Sequence, residues 1–211
     1  MNQNDEKNIL PEVEPFYVDE FLPEDAEGVV SLFRSVYGDG YPIRLFYDPQ
    51  AIIAANRAGS YVSIVARTQT GRVVGVNHLY HSAPCQKLFE TGVGLVLKDY
   101  RNAGANRKTL TYLYEDYVPR HAFMEELFGE AVCNHVFMQK TISPFGFKET
   151  AIEVALMPAE AYTQEQSAKG RVATLDSFRC YIPKPHRIYF PPVYAGVLRR
   201  IYNHLGYVRA I

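Results

Sequence analysis

Charge of one sign, paired cysteines and long apolar runs are all scarce in this 211-residue chain. Lysine and arginine number 22 against 23 aspartate and glutamate, a formal net charge of −1, which argues against a nucleic-acid binder driven by bulk charge. No apolar run approaches the ~20 residues of a membrane-spanning helix. The first residues lack the apolar core of a signal peptide. We therefore expect no nucleic-acid partner and no membrane partner.

Cysteine and histidine give no sign of a disulfide framework or a metal centre. Cys85, Cys133 and Cys180 are odd in number and lack metal-ligand spacing, so we interpret them as reduced thiols. His78 and His81 form a His-x-x-His pattern on a predicted strand, where the period of two sends them to opposite faces. The sequence thus predicts a cytoplasmic protein without a bound metal.

Apolar residues are plentiful enough for a sizeable core. They make up 47% of the chain and include 12 Phe and 16 Tyr. Residues 1–14 are polar and acidic, which predicts a flexible N-terminal tail. We expect one domain over residues 15–158 and a C-terminal extension over residues 159–211. That extension is expected to begin a further domain of a larger protein or to complete the sheet of a partner.

Residue patterns predict a strand, two helices and three further strands in the first half of the chain. Pro23 followed by acidic residues and Asp48 followed by Pro49 are typical helix starts, and Gly38 and Gly59 follow the predicted helix ends. The predicted elements are a strand at 16–21, helices at 23–37 and 49–58, a hairpin of strands 61–68 and 73–80, and a strand at 88–97.

The most informative stretch runs from Phe89 to Phe147. A strand at 90–97 leads through a glycine-containing turn into a helix that reaches about residue 117, and a second strand follows at 129–133. A short helix and a long strand at 148–157 come next, then extended segments at 171–181 and 187–190 and a helix at 193–205. A glycine turn at a helix start offers unpaired N–H groups and the positive end of a dipole, which suit a phosphate.

The motifs of this stretch resemble those of one enzyme family. The turn has the sequence Arg101-Asn-Ala-Gly104-Ala-Asn106, Asn134 follows the next strand, and Gly146-Phe147 closes the short helix. This order resembles the GNAT family, the acetyl-CoA-dependent N-acyltransferases, over residues 16–158. Their pyrophosphate loop is Arg/Gln-x-x-Gly-x-Gly/Ala. Asn106 departs from the sixth position of that loop.

The resemblance implies an α+β, three-layer fold. Its sheet would be mixed but mostly antiparallel, flanked by helices, and splayed between the fourth strand at 90–97 and the fifth at 129–133. The pantetheine arm of CoA would lie in the splay, the pyrophosphate would meet the loop N–H groups, and an Asn would bond CoA or the splayed backbone. The implied cofactor-binding residues are Leu95, Val96, Leu97, Arg101, Asn102, Ala103, Gly104, Ala105, Asn106, Arg107 and Asn134.

Three side chains are candidates for the proton transfers of such a reaction. Glu90 lies 11 residues before Arg101, the separation of the base glutamate in histone-type members that this chain resembles, and we predict it as the general base. His81 is an alternative base. The family's usual acid is a tyrosine four residues before the glycine of Gly-Phe, but here that position is Ile142. Water, a tyrosine from elsewhere or Ser143 could instead protonate the departing thiolate.

Aromatic residues and one arginine crowd the predicted loop between the first two helices. They suit a small acceptor with an apolar part or a carboxylate, and they suit equally a hydrophobic core under a loop. The candidate substrate-binding residues are Tyr37, Tyr41, Arg44, Phe46 and Tyr47.

We predict an N-acyltransferase that carries acetyl, or another short acyl group, from acyl-CoA to an amine by direct attack in a ternary complex. The co-substrate is acetyl-CoA or a related short acyl-CoA, and the acceptor is a small-molecule or peptide amine. A non-catalytic acyl-CoA-binding regulatory module of a larger protein is the alternative, and an interaction domain that has lost CoA is a third. The sequence leaves the acceptor and the oligomeric state open, and a homodimer is compatible with it.

Overall fold

The computed structural model of the chain describes residues 13–158, 170–182 and 187–207. Its strands are β1 (Phe16–Glu20), β2 (Tyr61–Thr68), β3 (Val73–Tyr80), β4 (Leu88–Val96), β5 (Glu126–Val132), β6 (Lys148–Pro158) and β7 (Arg171–Cys180). Its α-helices are α1 (Ala26–Tyr37), α2 (Pro49–Arg57), α3 (Ala105–Thr111), α4 (Val118–Arg120), α5 (Phe137–Ile142) and α6 (Ala195–Leu205).

All seven strands form one sheet, in the order β1-β2-β3-β4-β5-β7-β6. Every neighbouring pair is antiparallel except β4 with β5, which run parallel. Helices lie on both faces, and the structure confirms the mixed, mostly antiparallel α+β sheet that the motifs imply. Strand β7 lies within the range expected to be a C-terminal extension, yet it pairs between β5 and β6. The sheet therefore continues to Cys180 and does not end at Pro158.

Two apolar clusters hold the helices to opposite faces of the sheet. On one face, Val29, Val30 and Phe33 of α1 pack with Ile52 of α2 against the strands. On the other face, Leu110 of α3 and buried residues of the following helical turns pack against β4 and β5, together with Ile142 and Phe147. This face is continued by a π-helical segment, Tyr112–Tyr117, which joins α3 to α4.

Local signals account for most helix ends. The Asp48 carboxylate accepts hydrogen bonds from the Gln50 N–H at 2.9 Å and the Ala51 N–H at 3.3 Å, which confirms it as the N-cap of α2. Gly38, with φ of 59°, caps α1. Pro119 lacks an N–H and cannot complete an α-helical ladder, which explains the widened π segment before it.

Some predicted boundaries differ from the structure. Strand β5 begins at Glu126 rather than at residue 129. Arg187 forms an isolated bridge and the next three residues form no strand. The predicted flexible tail, apart from residues 13 and 14, and the last four residues of the chain lie outside the described ranges.

Candidate active site

The sheet opens between β4 and β5. These strands pair only through Leu88 with Glu126, Phe89 with Leu127 and Glu90 with Phe128. Beyond Glu90, β4 continues with β3, and β5 continues with β7. The divergence leaves a gap along the second half of β4, which confirms the predicted splay.

A bulge in β4 lies beside this gap. Val93 has a φ of 53°, a left-handed conformation that is rare for a β-branched residue, and the register with β3 shifts between Val76 and His78. Bulges bend the strand that carries them and are frequent next to active sites. Here the bulge coincides with the departure of β4 from β5.

The amide of Asn77 links this bulge to the start of α3. Its Nδ2 donates to Asn106 Oδ1 at 3.0 Å and to Thr109 Oγ1 at 2.7 Å. A Cβ at Gly94 would lie 2.1 Å from Asn77 Oδ1, so only glycine leaves room for this side chain. Asn106, the departure from the family's loop pattern, therefore directs its side chain towards Asn77 and not into the mouth of the loop.

Gly104 starts the helix that follows the loop. Its φ of 80° requires a glycine, and no atom lies within 4 Å of a Cβ added there. The Lys108 N–H donates to the Gly104 carbonyl at 3.0 Å. The N–H groups of Ala105, Asn106 and Arg107 precede this bond and point out of the helix end, where an anion is favoured.

The remaining loop residues differ in exposure. Arg101, Asn102 and Arg107 are exposed, Ala103 is half-buried and Ala105 is buried. A cavity of about 630 Å³ lies between β1 and the outer face of α3, and it is lined by Gly104, Arg107 and Lys108 among others. Lys108 Nζ lies 4.5 Å from the centre of the Phe16 ring, on the β1 side of the helix.

The predicted main-chain contacts for the pantetheine arm lie at the end of β4, at Leu95, Val96 and Leu97. One of them, Val96, faces the gap. The Leu97 N–H donates to the Val74 carbonyl of β3 at 2.9 Å. Because main-chain groups alternate in direction along an antiparallel strand, Leu95 also faces β3, and Val96 faces the gap. The Val96 carbonyl accepts from Arg101 Nε at 3.3 Å. The Leu97 N–H is therefore already bonded within the sheet.

Glu90 lies at the narrow end of the gap and is held by Tyr80 of β3. The Tyr80 hydroxyl donates to Glu90 Oε1 at 2.5 Å, and a Cβ at Gly92 would lie 2.9 Å from that hydroxyl. Burial and the negative charge of Glu90 raise the pKa of Tyr80, which keeps the phenol protonated as a donor. Tyr61 stacks on Tyr80 with ring centres 5.0 Å apart.

A second carboxylate, Glu130 of β5, faces the same gap. Phe128 lies opposite Glu90, so Glu130, two residues later, is on the same face of the sheet. Burial raises its pKa to about 7, with further contributions from the negative charges of Glu90, Asp176 and Glu153. The sequence analysis missed Glu130 because its relation to Glu90 depends on strand register.

The other candidate catalytic residues lie apart from Glu90. His81 packs on Phe89 with ring centres 3.9 Å apart, and Phe89 faces the α3 side of the sheet, opposite to Glu90. Ser143 is exposed and begins a short 3₁₀ turn after α5. Ile142 is a buried member of the core. Asn134 is half-buried in the turn after β5, where we predicted it.

The aromatic residues around the loop between α1 and α2 lie on the Glu90 face of the sheet, and some of them are core residues. Phe46 is buried and stacks on Phe33 at 4.3 Å, so it is a packing residue and not an accessible contact for an acceptor. Tyr37 and Tyr41 stack at 4.8 Å, and both are half-buried. The Tyr47 hydroxyl accepts from the Tyr41 N–H at 2.9 Å. Exposed Arg44 donates to the Asp39 carbonyl at 3.1 Å.

His78 lies beneath this aromatic loop and is fully buried. Its Nδ1 lies 2.8 Å from the Ser63 hydroxyl, and its ring centre lies 4.9 Å from that of Phe46. Burial lowers its pKa to about 3, so the ring is neutral.

In the described ranges, no group of three or more His, Cys, Asp or Glu side chains could hold a metal ion. None of the helices in the described ranges is long and apolar enough to cross a membrane.

Comparison with known proteins gives structural matches alone. No protein-family model matches the chain. No curated protein sequence matches it either.

Many solved structures share the fold. An N-acetyltransferase from Staphylococcus aureus Mu50 is 12% identical with a TM-score of 0.63, and the match covers 79% of this chain and 99% of that one. The ribosomal-protein-S5-alanine acetyltransferase of Vibrio fischeri is 10% identical with a TM-score of 0.62, covering 80% and 94%. The ribosomal-protein-S18-alanine N-acetyltransferase of Escherichia coli is 15% identical with a TM-score of 0.61, covering 83% and 100%.

These matches cover 79% to 83% of this chain, and they accompany a splay at the strand pair where the loop motifs predicted it. The chain therefore has the fold of the GNAT acetyltransferases.

Proposed function

We propose that this chain is an N-acyltransferase that transfers an acetyl or short acyl group from acyl-CoA to an amine by direct attack in a ternary complex. The observation that carries the proposal is the gap between β4 and β5. The Gly104 loop and the open helix end lie at the end of β4, and the Tyr80–Glu90 pair lies where the strands still touch. A phosphate-binding end and a proton-accepting end therefore border the same opening.

The residues around the gap fit a CoA thioester. The backbone at Gly104 suits a pyrophosphate, because the first N–H groups of the helix that follows have no carbonyl partner within that helix, and a Cβ at this position would meet no atom within 4 Å. The Val96 main chain faces the gap and suits the amide groups of a pantetheine arm. An acyl-CoA bound there would supply the thioester carbonyl, and Glu90 would lie at the acyl end.

The acceptor is an amine in this proposal. An amine is protonated at neutral pH, so it must lose a proton before it can attack a thioester. The face of the gap carries Glu90 and Glu130. Half-buried Tyr41, in the loop after α1, lies near Tyr80 and stacks on Tyr37 at the end of α1. Carboxylates and aromatic rings suit an ammonium group with an apolar part.

A calorimetric titration with acetyl-CoA tests the co-substrate site. We expect micromolar binding that is lost in Gly104→Asp, because the substitution strains a left-handed residue and places a carboxylate where the phosphate would lie. Gly71→Asp is the matched control. Gly71 also has a positive φ, 85°, and open space around it, but it lies in the β2–β3 turn. This variant should bind acetyl-CoA like the wild type.

Turnover is tested with a library of amines and a free-thiol readout. Acetyl-CoA-dependent thiol release with one amine class, absent without the amine, is the expected result. Failure to bind acetyl-CoA at millimolar concentration would overturn the proposal.

Binding without turnover would support the alternative, a non-catalytic acyl-CoA-binding module. One observation favours this alternative: Ile142, at the position of the family's usual acid, is a buried core residue that cannot donate a proton.

A further inference from the structure

Two carboxylates border the gap in different surroundings. Glu90 of β4 accepts a hydrogen bond from the Tyr80 hydroxyl at 2.5 Å. Glu130 of β5 lies one step further along the gap, past the last pair between the two strands, Glu90 with Phe128. Glu90 and Phe128 are paired across the two strands, so their side chains lie on one face of the sheet, and Glu130, two residues after Phe128, lies on that face too.

A hydrogen bond from Tyr80 holds the Glu90 carboxylate in place. A hydrogen bond from a phenol to a carboxylate stabilises the charged carboxylate, and the raised pKa of Tyr80 keeps the proton on the phenol. Glycine at position 92 leaves the space that this pair occupies. Glu90 thus presents a carboxylate in a fixed position, which makes it well suited to orient an ammonium group.

The surroundings of Glu130 raise its pKa. The charges that face it from the described residues are all negative: Glu90 on β4, Asp176 on β7 and Glu153 on β6. Asp176 lies directly opposite Glu130 in the β5–β7 pair. Burial and these charges raise the pKa of Glu130 to about 7. A glutamate whose pKa is raised towards 7, beside a second carboxylate at the same gap, is a candidate general base.

We propose that Glu130 is the general base that takes the proton from the acceptor amine, and that Glu90, held by Tyr80, orients the ammonium beforehand. This inference rests on the proposed function, and it goes beyond the sequence-based assignment of the base to Glu90. Tyr80 is a positioning residue, because it acts through Glu90.

The proton balance of the step is simple. The R–NH₃⁺ group gives one proton to the Glu130 carboxylate, and the resulting amine nitrogen bonds to the thioester carbonyl carbon. The carbon–sulfur bond breaks, the thiolate leaves, and the second amine proton neutralises it. Glu130 then returns its proton to solvent. A base with a pKa near the working pH is more effective than an ordinary glutamate, whose pKa is about 4.5.

The decisive measurement is the pH profile of kcat/KM for the wild type and for Glu130→Gln. We expect the wild-type profile to rise with pH through a limb near 7, the pKa to which burial raises Glu130. Glu130→Gln should lose about 10²- to 10⁴-fold in kcat/KM together with that limb. Asp176→Asn is the matched control. It removes one neighbouring negative charge, so activity should persist while the limb moves to lower pH.

The roles of Glu90 and Tyr80 are separated by kcat and KM. Glu90→Gln and Tyr80→Phe should raise the KM for the amine more than they lower kcat. Tyr80→Phe should keep the limb near 7, the pKa of Glu130, whereas Glu90→Gln should keep the limb but move it to lower pH, because it removes a neighbouring negative charge. If Glu90→Gln abolishes the limb and Glu130→Gln keeps it, the base is Glu90 and the inference is overturned.

A second readout does not depend on turnover. Carboxyl NMR of the ¹³C-glutamate-labelled protein, without acyl-CoA, should show one resonance that titrates near pH 7 and is missing in Glu130→Gln. Absence of that resonance overturns the inference even in an active enzyme. Absence of acetyl-CoA binding, with the resonance present, overturns the proposed function instead.

Discussion

The two sides of the gap differ in how they are built. On the β1–β4 side, β2 and β3 are buried along almost their whole length between α1 and α2 on one face and α3 on the other. On the β5–β7–β6 side, the edge strand β6 is largely exposed, and α6 beside it contains no buried residue. The first side has the packing of a domain core, and the second has the packing of an edge.

The two sides carry different parts of the proposed site. The bulge, the Asn77 link and the Gly104 loop all belong to the well-packed side, where small shifts are resisted. The raised pKa of Glu130 belongs to the thinner side, where acidic side chains of three neighbouring strands face one another. The well-packed side thus carries the proposed co-substrate site, and the thinner side carries the proposed general base.

We expect the largest difference in the free energy of unfolding when a buried ion pair and a more exposed ion pair are each broken. Asp25 and Arg67 form a pair in which both side chains are about 5% exposed, and the Leu22 N–H also donates to Asp25 at 2.7 Å. Asp25→Ala leaves the Arg67 charge buried and unpaired, which should lower the free energy of unfolding by about 3–5 kcal/mol. Glu115→Ala breaks the pair with Arg179 of β7, in which the Glu115 side chain is 50% exposed, and should cost less than about 1 kcal/mol. Urea denaturation of both variants measures the difference, and equal losses would contradict the comparison.

An isoleucine on each side gives the next contrast. Ile64 of β2 is 0% exposed, whereas Ile152 of β6 is 65% exposed. Ile64→Ala should lower the free energy of unfolding by about 2–5 kcal/mol, because it removes buried methyl groups and leaves a cavity. Ile152→Ala should change that free energy by about 0.5 kcal/mol or less. A loss above 2 kcal/mol for Ile152→Ala, in the same urea denaturation, would show that this edge is covered in solution.

The smallest expected effect is the dependence of stability on pH that comes from the buried ring of His78. The unfolded chain protonates His78 as the pH falls below 6.5, whereas the folded chain keeps the ring neutral down to about pH 3. Stability is therefore lost as the pH falls through this window, by at most about 1.4 kcal/mol per pH unit from this residue. The double variant Ser63→Ala/His78→Phe should flatten that slope in urea denaturation between pH 4 and 6, whereas Ser63→Ala alone should keep it. An unchanged slope in the double variant would refute the assignment.

Local signals made much of the fold predictable. Asp48-Pro49 and Gly104 act through contacts within a few residues, so the start of α2 and the left-handed turn before α3 could be predicted from the sequence. The strands of the β2–β3 hairpin have the bounds that their residues indicate.

Non-local features were not predictable in the same way. The place of β7 between β5 and β6, and the meeting of Glu130 with Glu90, depend on which strands pair and in what register. One local signal was overlooked. Asparagine is uncommon inside strands, so Asn77 in the Val-Val-Gly-Val-Asn run indicated a side chain with a specific hydrogen-bond partner.

The Asn77 side chain also restricts the order in which this region can change by mutation. Any residue other than glycine at position 94 collides with Asn77 until that asparagine has been replaced. Replacing Asn77 first leaves Thr109 and Asn106 without their shared donor. Every single-step path away from this arrangement therefore passes through a less stable protein. Homologous chains that keep the asparagine should keep the glycine, and the two positions should change together where either one changes.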